Sequence, residues 1–398
     1  MYIPRPIMDD QLPKLPKEVK FCRKCVMSNQ RPRITFDENG ICNACNYAEM
    51  KRGFDWDARK QELVELCDRH RSKDGSYDII VPCSGGKDSS TIAYRLKYEY
   101  KMHPLCVTFS PPQYSQIGFE NLRRFIDSGF DHVLASPNGK LNRVLSKLCF
   151  ILLGDHNEIF DHGQYGYPFR VALQNNVKLV MYGENAEAEY GGTMKGAEKP
   201  TRDWSEFDEC WFSNTIENIF KIGLEDGYFT EEVEERNLDI YQLPPIEQLE
   251  KAGVVLHFFG YYHHWTPQEN YYFAAEHTGF QANPQGRNEG TYSKYAQLDD
   301  ATDTFLYYLM YIKFGFGRST SDSAHEIRDG HITREEAVAL VHRYDGEFPH
   351  RNFDLFLKYL DITEDEFHQI VDRFRLPHIW TKEHGEWKLI KRVENLEP

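Results

Sequence analysis

The residues Ile79-Ile80-Val81-Pro82-Cys83-Ser84-Gly85-Gly86-Lys87-Asp88-Ser89-Ser90 carry the clearest chemistry of this chain. The apolar run reads as a buried strand, the paired glycines as a tight turn, and the residues after them as the start of a helix. Such a turn gathers backbone N–H groups and aims the positive end of a helix dipole at an anion. Ser84, Ser89 and Ser90 add hydroxyl donors, Lys87 adds a cation, and Asp88 is a carboxylate suited to Mg²⁺ between phosphates. The spacing is too short for G-x-x-x-x-G-K-[ST] and lacks the G-x-G-x-x-G pattern. The expectation is a phosphate cradle; a strand-to-helix turn that binds nothing is the alternative. Cys83, immediately before the glycines, is read as a small buried residue lining the cradle rather than a redox group.

A second set lies near the N-terminus, where Cys22, Cys25, Cys42 and Cys45 form C-x2-C-x16-C-x2-C. Each pair can wrap two thiolates around one tetrahedral ion, and so short and polar a segment has too little apolar surface to fold alone. The intervening Arg33 to Ile41 reads as a strand ending in an Asn-Gly turn, as in the hairpin of a zinc ribbon. A structural Zn²⁺ is the first reading, an iron–sulfur cluster the second and ordinary buried cysteines the third. The remaining cysteines, Cys67, Cys106, Cys149 and Cys210, have no ligand spacing and are assigned to the core.

These sites need a scaffold, and 398 residues with 40% hydrophobic and 27% charged content suffice for two or three compact units. Nine cysteines and no segment of signal-peptide character argue against a disulfide framework and for a cytoplasmic protein without membrane insertion. A net charge of −15 argues against a nucleic-acid-tracking surface. Strand patterns at 79–82, 104–109, 131–134, 177–182 and 254–259, with helical patterns at 53–71, 91–100, 118–128 and 141–152, specify an α/β fold. Its sheet is parallel, doubly wound and covered on both faces. Ligands in such sheets sit beyond the carboxyl ends of the strands, where the 84–90 loop, Phe109-Ser110 and Gly183-Glu184-Asn185 converge. The segmentation expected is an arm at 1–20, a four-cysteine metal module at 21–50, a nucleotide-binding core at 51–298 and a helical region at 299–398. An insertion at about 191–250, with Trp204, Phe207, Trp211, Phe212 and an acidic helix near Glu231 to Arg236, is expected over the active face. The 299–398 region shows helices from Asp299 and at 334–344, 352–360 and 364–374.

SGGKDSS resembles the PP-loop of the ATP pyrophosphatases. Together, CRKC…CNAC, VPCSGGKDSS, MYGEN and KFGFGRSTSDSAHEIRDG resemble the bacterial N-acetyl sugar amidotransferases of that superfamily, from Phe21 to about Trp380. The resemblance implies lipopolysaccharide O-antigen or flagellin-glycan biosynthesis, in which the acetamido group of a sugar nucleotide or nonulosonic-acid precursor becomes an acetamidino group. It implies ATP as co-substrate, AMP and pyrophosphate as products, and ammonia from a separate glutaminase with a cyclase-like companion. Gly85, Gly86, Ser84, Ser89, Ser90 and Lys87 would then hold the phosphates, Asp88 and Glu184 Mg²⁺, and Phe109, Ser110 and Gly183 the nucleoside side.

Other residues have two readings each. Glu184, Asn185 and Glu187 are Mg²⁺ ligands, substrate contacts or a base for the entering ammonium, or else a solvated loop capping a helix. Lys313 and Arg318 reach a diphosphate, or are plain helix-end charges. His263, His264 and Trp265, with Tyr190, Trp204 and Trp211 as weaker candidates, line a sugar pocket or fill the core. A PP-loop tRNA-thiolating enzyme is the alternative function and a non-catalytic scaffold a third. A homo-oligomer is compatible with any of them.

Overall fold

The computed structural model describes residues 5–204, 212–229, 233 and 235–395. Phe207, Cys210, Trp211 and the first residues of the expected acidic helix lie outside the described residues. Helices α1 (Asn43–Lys51) and α2 (Trp56–His70) precede β1 (Ile79–Pro82), α3 (Lys87–Tyr94), β2 (Pro104–Phe109), α4 (Gln116–Asp127) and β3 (Asp131–Ala135). Next come α5 (Gly139–Leu153), α6 (Glu158–Gln174), β4 (Leu179–Tyr182), α7 (Ala186–Tyr190), α8 (Ile216–Glu225), α9 (Ile246–Ala252) and β5 (Val255–Phe258). The chain continues through α10 (Phe259–Tyr262), α11 (Pro267–His277), α12 (Asp303–Phe314), α13 (Arg318–Asp329), α14 (Arg334–Tyr344), α15 (Phe353–Leu360) and α16 (Glu364–Arg373). A hairpin of β6 (Trp380–Glu383) and β7 (Glu386–Leu389) follows.

The main sheet is wholly parallel, in the order β3-β2-β1-β4-β5. Period-two alternation sorts its side chains. Ile79, Val81, Leu179 and Met181 meet α2, α3 and Phe125 of α4 on one face, while Ile80, Val180, Leu256 and Phe258 meet α6 on the other. This is the expected doubly wound arrangement. Strands run outward from β1 through β2 to β3 on one side and through β4 to β5 on the other, so the order reverses between β1 and β4. A crevice opens at such a reversal, and the loops after β1 and β4 flank it.

Several elements went unforeseen, among them α6, α11, α13 and the β6–β7 hairpin. In α6, Gly163, Gly166 and Pro168 mask a helix whose buried residues include Phe169, Val171 and Ala172. Part of the 191–250 insertion, α8, packs against α5. Ile216, Ile219 and Phe220 of α8 form an apolar stripe buried in the cluster that contains Leu145 and Leu148 of α5. His162 of α6 stacks on Phe212 at 3.7 Å.

One apolar cluster runs through Leu12, Leu15 and Val19 of the arm, the four module cysteines, α5 and the C-terminal helices. Its polar seam is Lys313, which is 3% exposed and whose ammonium lies 2.5 Å from Asp9 of the arm. Lys313 therefore faces the N-terminal arm and not the phosphate loop, because α12 turns that side toward α5 and the arm. Asp9, Asp155 and Glu158 around it keep the amine charged despite burial. Lys313→Met should leave Asp9 as an uncompensated buried charge and lower stability by about 3–5 kcal/mol, read by urea unfolding. Nucleotide affinity of the fraction that stays folded should be unchanged.

Candidate active site

Gly85 adopts φ +80, and a Cβ there would fall 2.5 Å from the Leu122 Cα of α4. Only glycine fits both demands. Gly86 caps α3, its N–H donating to Ser84 Oγ at 3.2 Å. Cys83 N donates to Val107 O at 2.8 Å, which holds the loop to the end of β2. On the far side of the turn, Asp299 faces Ser84 and Gly86; burial raises its carboxyl above the usual range while the Ser84 hydrogen bond opposes that.

Two cavities meet at this turn. One, of about 190 Å³, runs over the carboxyl ends of the strands, and its lining includes Cys83, Ser84, Ser89, Phe109, Tyr182 and Gly183. The other, of about 320 Å³, lies between Lys87, Tyr190, Tyr295 and Tyr307 and the polar face of α13. Asp88 and Glu184 line both. Asp88 pairs with the Lys87 ammonium and accepts from Asn270 Nδ2 at 2.9 Å. Burial and the neighbouring Asp88 push Glu184 up to about 7. Two facing carboxylates, one of them unwilling to ionise, form a donor set that a hard divalent cation would relieve.

The other candidates disperse. Ser90 is fully buried on the inner side of α3, away from both cavities. Ser110 donates its N–H to Ala135 O at 2.8 Å and lines neither cavity. Asn185 accepts from Arg202 Nη2 at 2.7 Å, and Glu187 receives the Arg33 fork at 2.9 and 2.7 Å; both serve structural bonds. His263 bonds Tyr100 at 2.5 Å and stacks on Phe259, His264 meets the edge of Trp56, and Trp265 is 2% exposed in the α2–α3 core. These three line neither cavity, because α10 packs on α2 and carries 263–265 onto the sheet's face instead of its edge. Trp204 stands edge-on to Phe169. Tyr190 and Arg318 do reach the larger cavity, Arg318 held by Asp322 at 2.8 Å and lying over Tyr307.

Residues not singled out from sequence complete the site: Arg31, Asn270, Tyr295, Asp299 and, on α13, Asp322, His325, Glu326 and Asp329. The α13 set had a legible signal. Arg318, Asp322, His325 and Asp329 recur at helical spacing, among small buried residues Ser319, Thr320, Ser323 and Ala324.

Cys22, Cys25, Cys42 and Cys45 are fully buried, with the Cys22–Cys45 and Cys25–Cys42 sulfurs 3.9 and 3.8 Å apart. Four sulfurs about 2.3 Å from one ion form a tetrahedron with edges of about 3.8 Å, which these two distances match, so the group is suited to hold metal. Backbone N–H groups of Lys24, Cys25 and Cys42 point at the Cys22 sulfur at 3.3–3.4 Å, stabilising a thiolate. The expected strand in this module shrinks to a single bridge, Phe36 to Cys42, closed by a turn through Asp37 and Gly40.

Residues 289–394 match the family model for the LPS biosynthesis protein WbpG-like, C-terminal domain. An uncharacterized protein, MJ1599, of Methanocaldococcus jannaschii is 29% identical over 101 residues, which is 25% of this chain and 36% of that protein. This chain thus covers only about a third of that relative. NMN synthetase of Francisella tularensis aligns over 76% of this chain and 95% of its own at 13% identity, with a TM-score of 0.33. The U34-tRNA thiolase NcsA of Methanococcus maripaludis, with its [4Fe-4S] cluster, aligns over 78% and 86% at 13% identity, with a TM-score of 0.25. Scores this low carry no argument about the present chain. Among the described residues no helix is long and apolar enough to cross a membrane.

Gly85→Ala should strain the turn by about 1–3 kcal/mol and abolish ATP binding in calorimetry, with a lowered Tm. Cys22→Ser should take bound metal from one ion per chain to none by elemental analysis, and should lower Tm as well.

Proposed function

We propose that the protein is an ATP-dependent amidotransferase that converts the acetamido group of an activated N-acetyl sugar to an acetamidino group. The observation that carries this reading is the meeting of two cavities at Asp88 and Glu184, directly beside the glycine turn. One suits a nucleotide over the sheet edge; the other, walled mostly by residues 293–331, suits the acceptor. That wall lies inside the segment matching a domain of LPS biosynthesis proteins, which supports a carbohydrate acceptor.

The chemistry follows from the weakness of an amide as an electrophile. The amide oxygen attacks the α-phosphorus of ATP, the bond to the β-phosphate oxygen breaks, and pyrophosphate leaves. Ammonia then adds to the activated carbon, and AMP departs with that oxygen. In this reading the glycine turn at the start of α3, the Ser84 and Ser89 hydroxyls and Lys87 hold the phosphates. Asp88 and Glu184 are suited to hold Mg²⁺, which would neutralise phosphate charge. Glu184, with its pKa near neutrality, is also fitted to take the proton from the entering ammonium. A Zn²⁺ ion in the cysteine module has a structural role. In this reading ammonia is supplied by a separate glutaminase with its companion subunit. The 1440 Å³ cavity beside the module, which shares Arg31 with the acceptor cavity, supports a route from such a partner.

The test is AMP and pyrophosphate release from ATP with a 2-acetamido sugar nucleotide and ammonium, with tRNA as the rival acceptor. Turnover that depends on RNA alone would sink the reading. Asp88→Asn should abolish AMP formation. Glu184 loses its proton as pH rises through about 7, so wild-type amination should climb across that interval. Glu184→Gln separates its two roles: loss of adenylation assigns the carboxylate to Mg²⁺, whereas intact adenylation with amination down by about 10²-fold and that limb flattened assigns it to the base.

A further inference from the structure

The cysteine module is tied to the ATP domain by two ion pairs. The Arg33 fork grips Glu187, and Lys51 grips Glu189 at 2.6 and 2.8 Å, so both cations close on α7. The module's remaining inward cation is Arg31, between the two cysteine pairs, and it behaves differently. Its side chain lines the cavity that faces Lys87 and Asp88, and its Nε is shielded from solvent without a hydrogen-bond partner.

Across the same cavity stands α13. His325 is 3% exposed, and neither ring nitrogen has a hydrogen-bond partner; the nearest carboxylate, Asp329, is 3.5 Å away with its own Oδ2 unpaired. The Ser293 hydroxyl on the adjoining wall is also unpaired. Burial keeps His325 well below its ordinary pKa, so it is neutral and offers one donor and one acceptor. Buried polar atoms normally find partners, and unmet ones gathered around one hollow of ligand size mark a place where a guest supplies them. A guanidinium donor opposite a neutral imidazole and a hydroxyl suits an oxygen-rich guest, with an oxyanion on the arginine side.

We propose that Arg31 is a specificity residue for the acceptor: the metal-loaded cysteine module presents its guanidinium to an oxyanion of the acceptor, opposite His325. Metal occupancy then sets acceptor affinity and leaves nucleotide affinity untouched. The inference rests on the reading that this cavity takes the acceptor. The oxyanion is either a sugar carboxylate or the diphosphate of a sugar nucleotide, which share this chemistry.

Calorimetry on the full chain tests it with four probes: a non-hydrolysable ATP analogue, UDP-N-acetylglucosamine, N-acetylmuramic acid and neutral N-acetylglucosamine. Arg31→Ala should weaken whichever anionic probe the wild type binds by about tenfold or more, and Arg31→Lys should be intermediate because the fork is lost. The ATP analogue and the neutral sugar should bind as before. Chelator-stripped protein should reproduce the Arg31→Ala pattern, recover with Zn²⁺, and add nothing to the loss already caused by Arg31→Ala. Undiminished anionic-probe binding by Arg31→Ala, or an equal loss of the ATP analogue, overturns the role of Arg31 while the proposed function stands. Failure of the wild type to bind any of the three carbohydrates, with the ATP analogue bound, overturns both.

Discussion

The chain can pass from β1 into α3 only where residue 85 lacks a side chain, because the turn rests against the backbone of α4. A Cβ on Gly85 would meet Leu122 at 2.5 Å, and one on Gly118 of the same helix would meet Leu298 O at 2.4 Å. Three backbone segments are thus stacked without side chains between them: the phosphate loop, α4 and the 298–299 stretch. This contact brings Asp299 behind Ser84 and starts α12 and α13 where they can close over the loop. The α13 wall of the cavity beside Lys87 and Asp88 is therefore positioned by the same close approach that shapes the glycine turn.

Electrostatics at the meeting point of the two cavities follow from that closure. Asp88, Glu184 and Asp299 share a space with Lys87 as the adjacent cation. Burial and mutual repulsion leave Glu184 near 7 and Asp299 raised. Such a site is poorly satisfied on its own and gains from a divalent ion or a proton in transit, which is how functional carboxylates commonly differ from structural ones. Glu187 and Glu189, a few residues farther on, show the contrast, since each is neutralised by a module cation.

The cysteine module belongs to the site's architecture as well as to its own small core. Its sulfurs belong to the same apolar cluster as the arm, α5 and the C-terminal helices, and its cations hold α7. The 31–35 stretch consequently forms part of the partition between the large cavity beside the module and the cavity under α13, with Arg31 lining both. Loss of the metal would loosen that partition before it disturbed the sheet, which has a core of its own.

By itself the sequence determined what depends on local rules. Continuous apolar runs announced the strands, Gly85-Gly86 announced the strand-to-helix turn, and two C-x2-C pairs announced the four-cysteine cluster, because each is set by spacing along the chain. It also held a signal for α13, a polar stripe at helical spacing. Only the tertiary structure decided which charges face the chemistry. Lys313 and Arg318 stand five residues apart, yet one meets Asp9 in the core and the other lines the cavity beside Lys87 and Asp88. His263, His264 and Trp265 have the composition of a sugar site and went to the sheet's face, while Arg31, Asp299 and His325 reached the site from distant parts of the chain. The physical reason is that side-chain direction at a cleft depends on how helices pack over the sheet, and that packing is fixed by contacts between residues far apart in sequence.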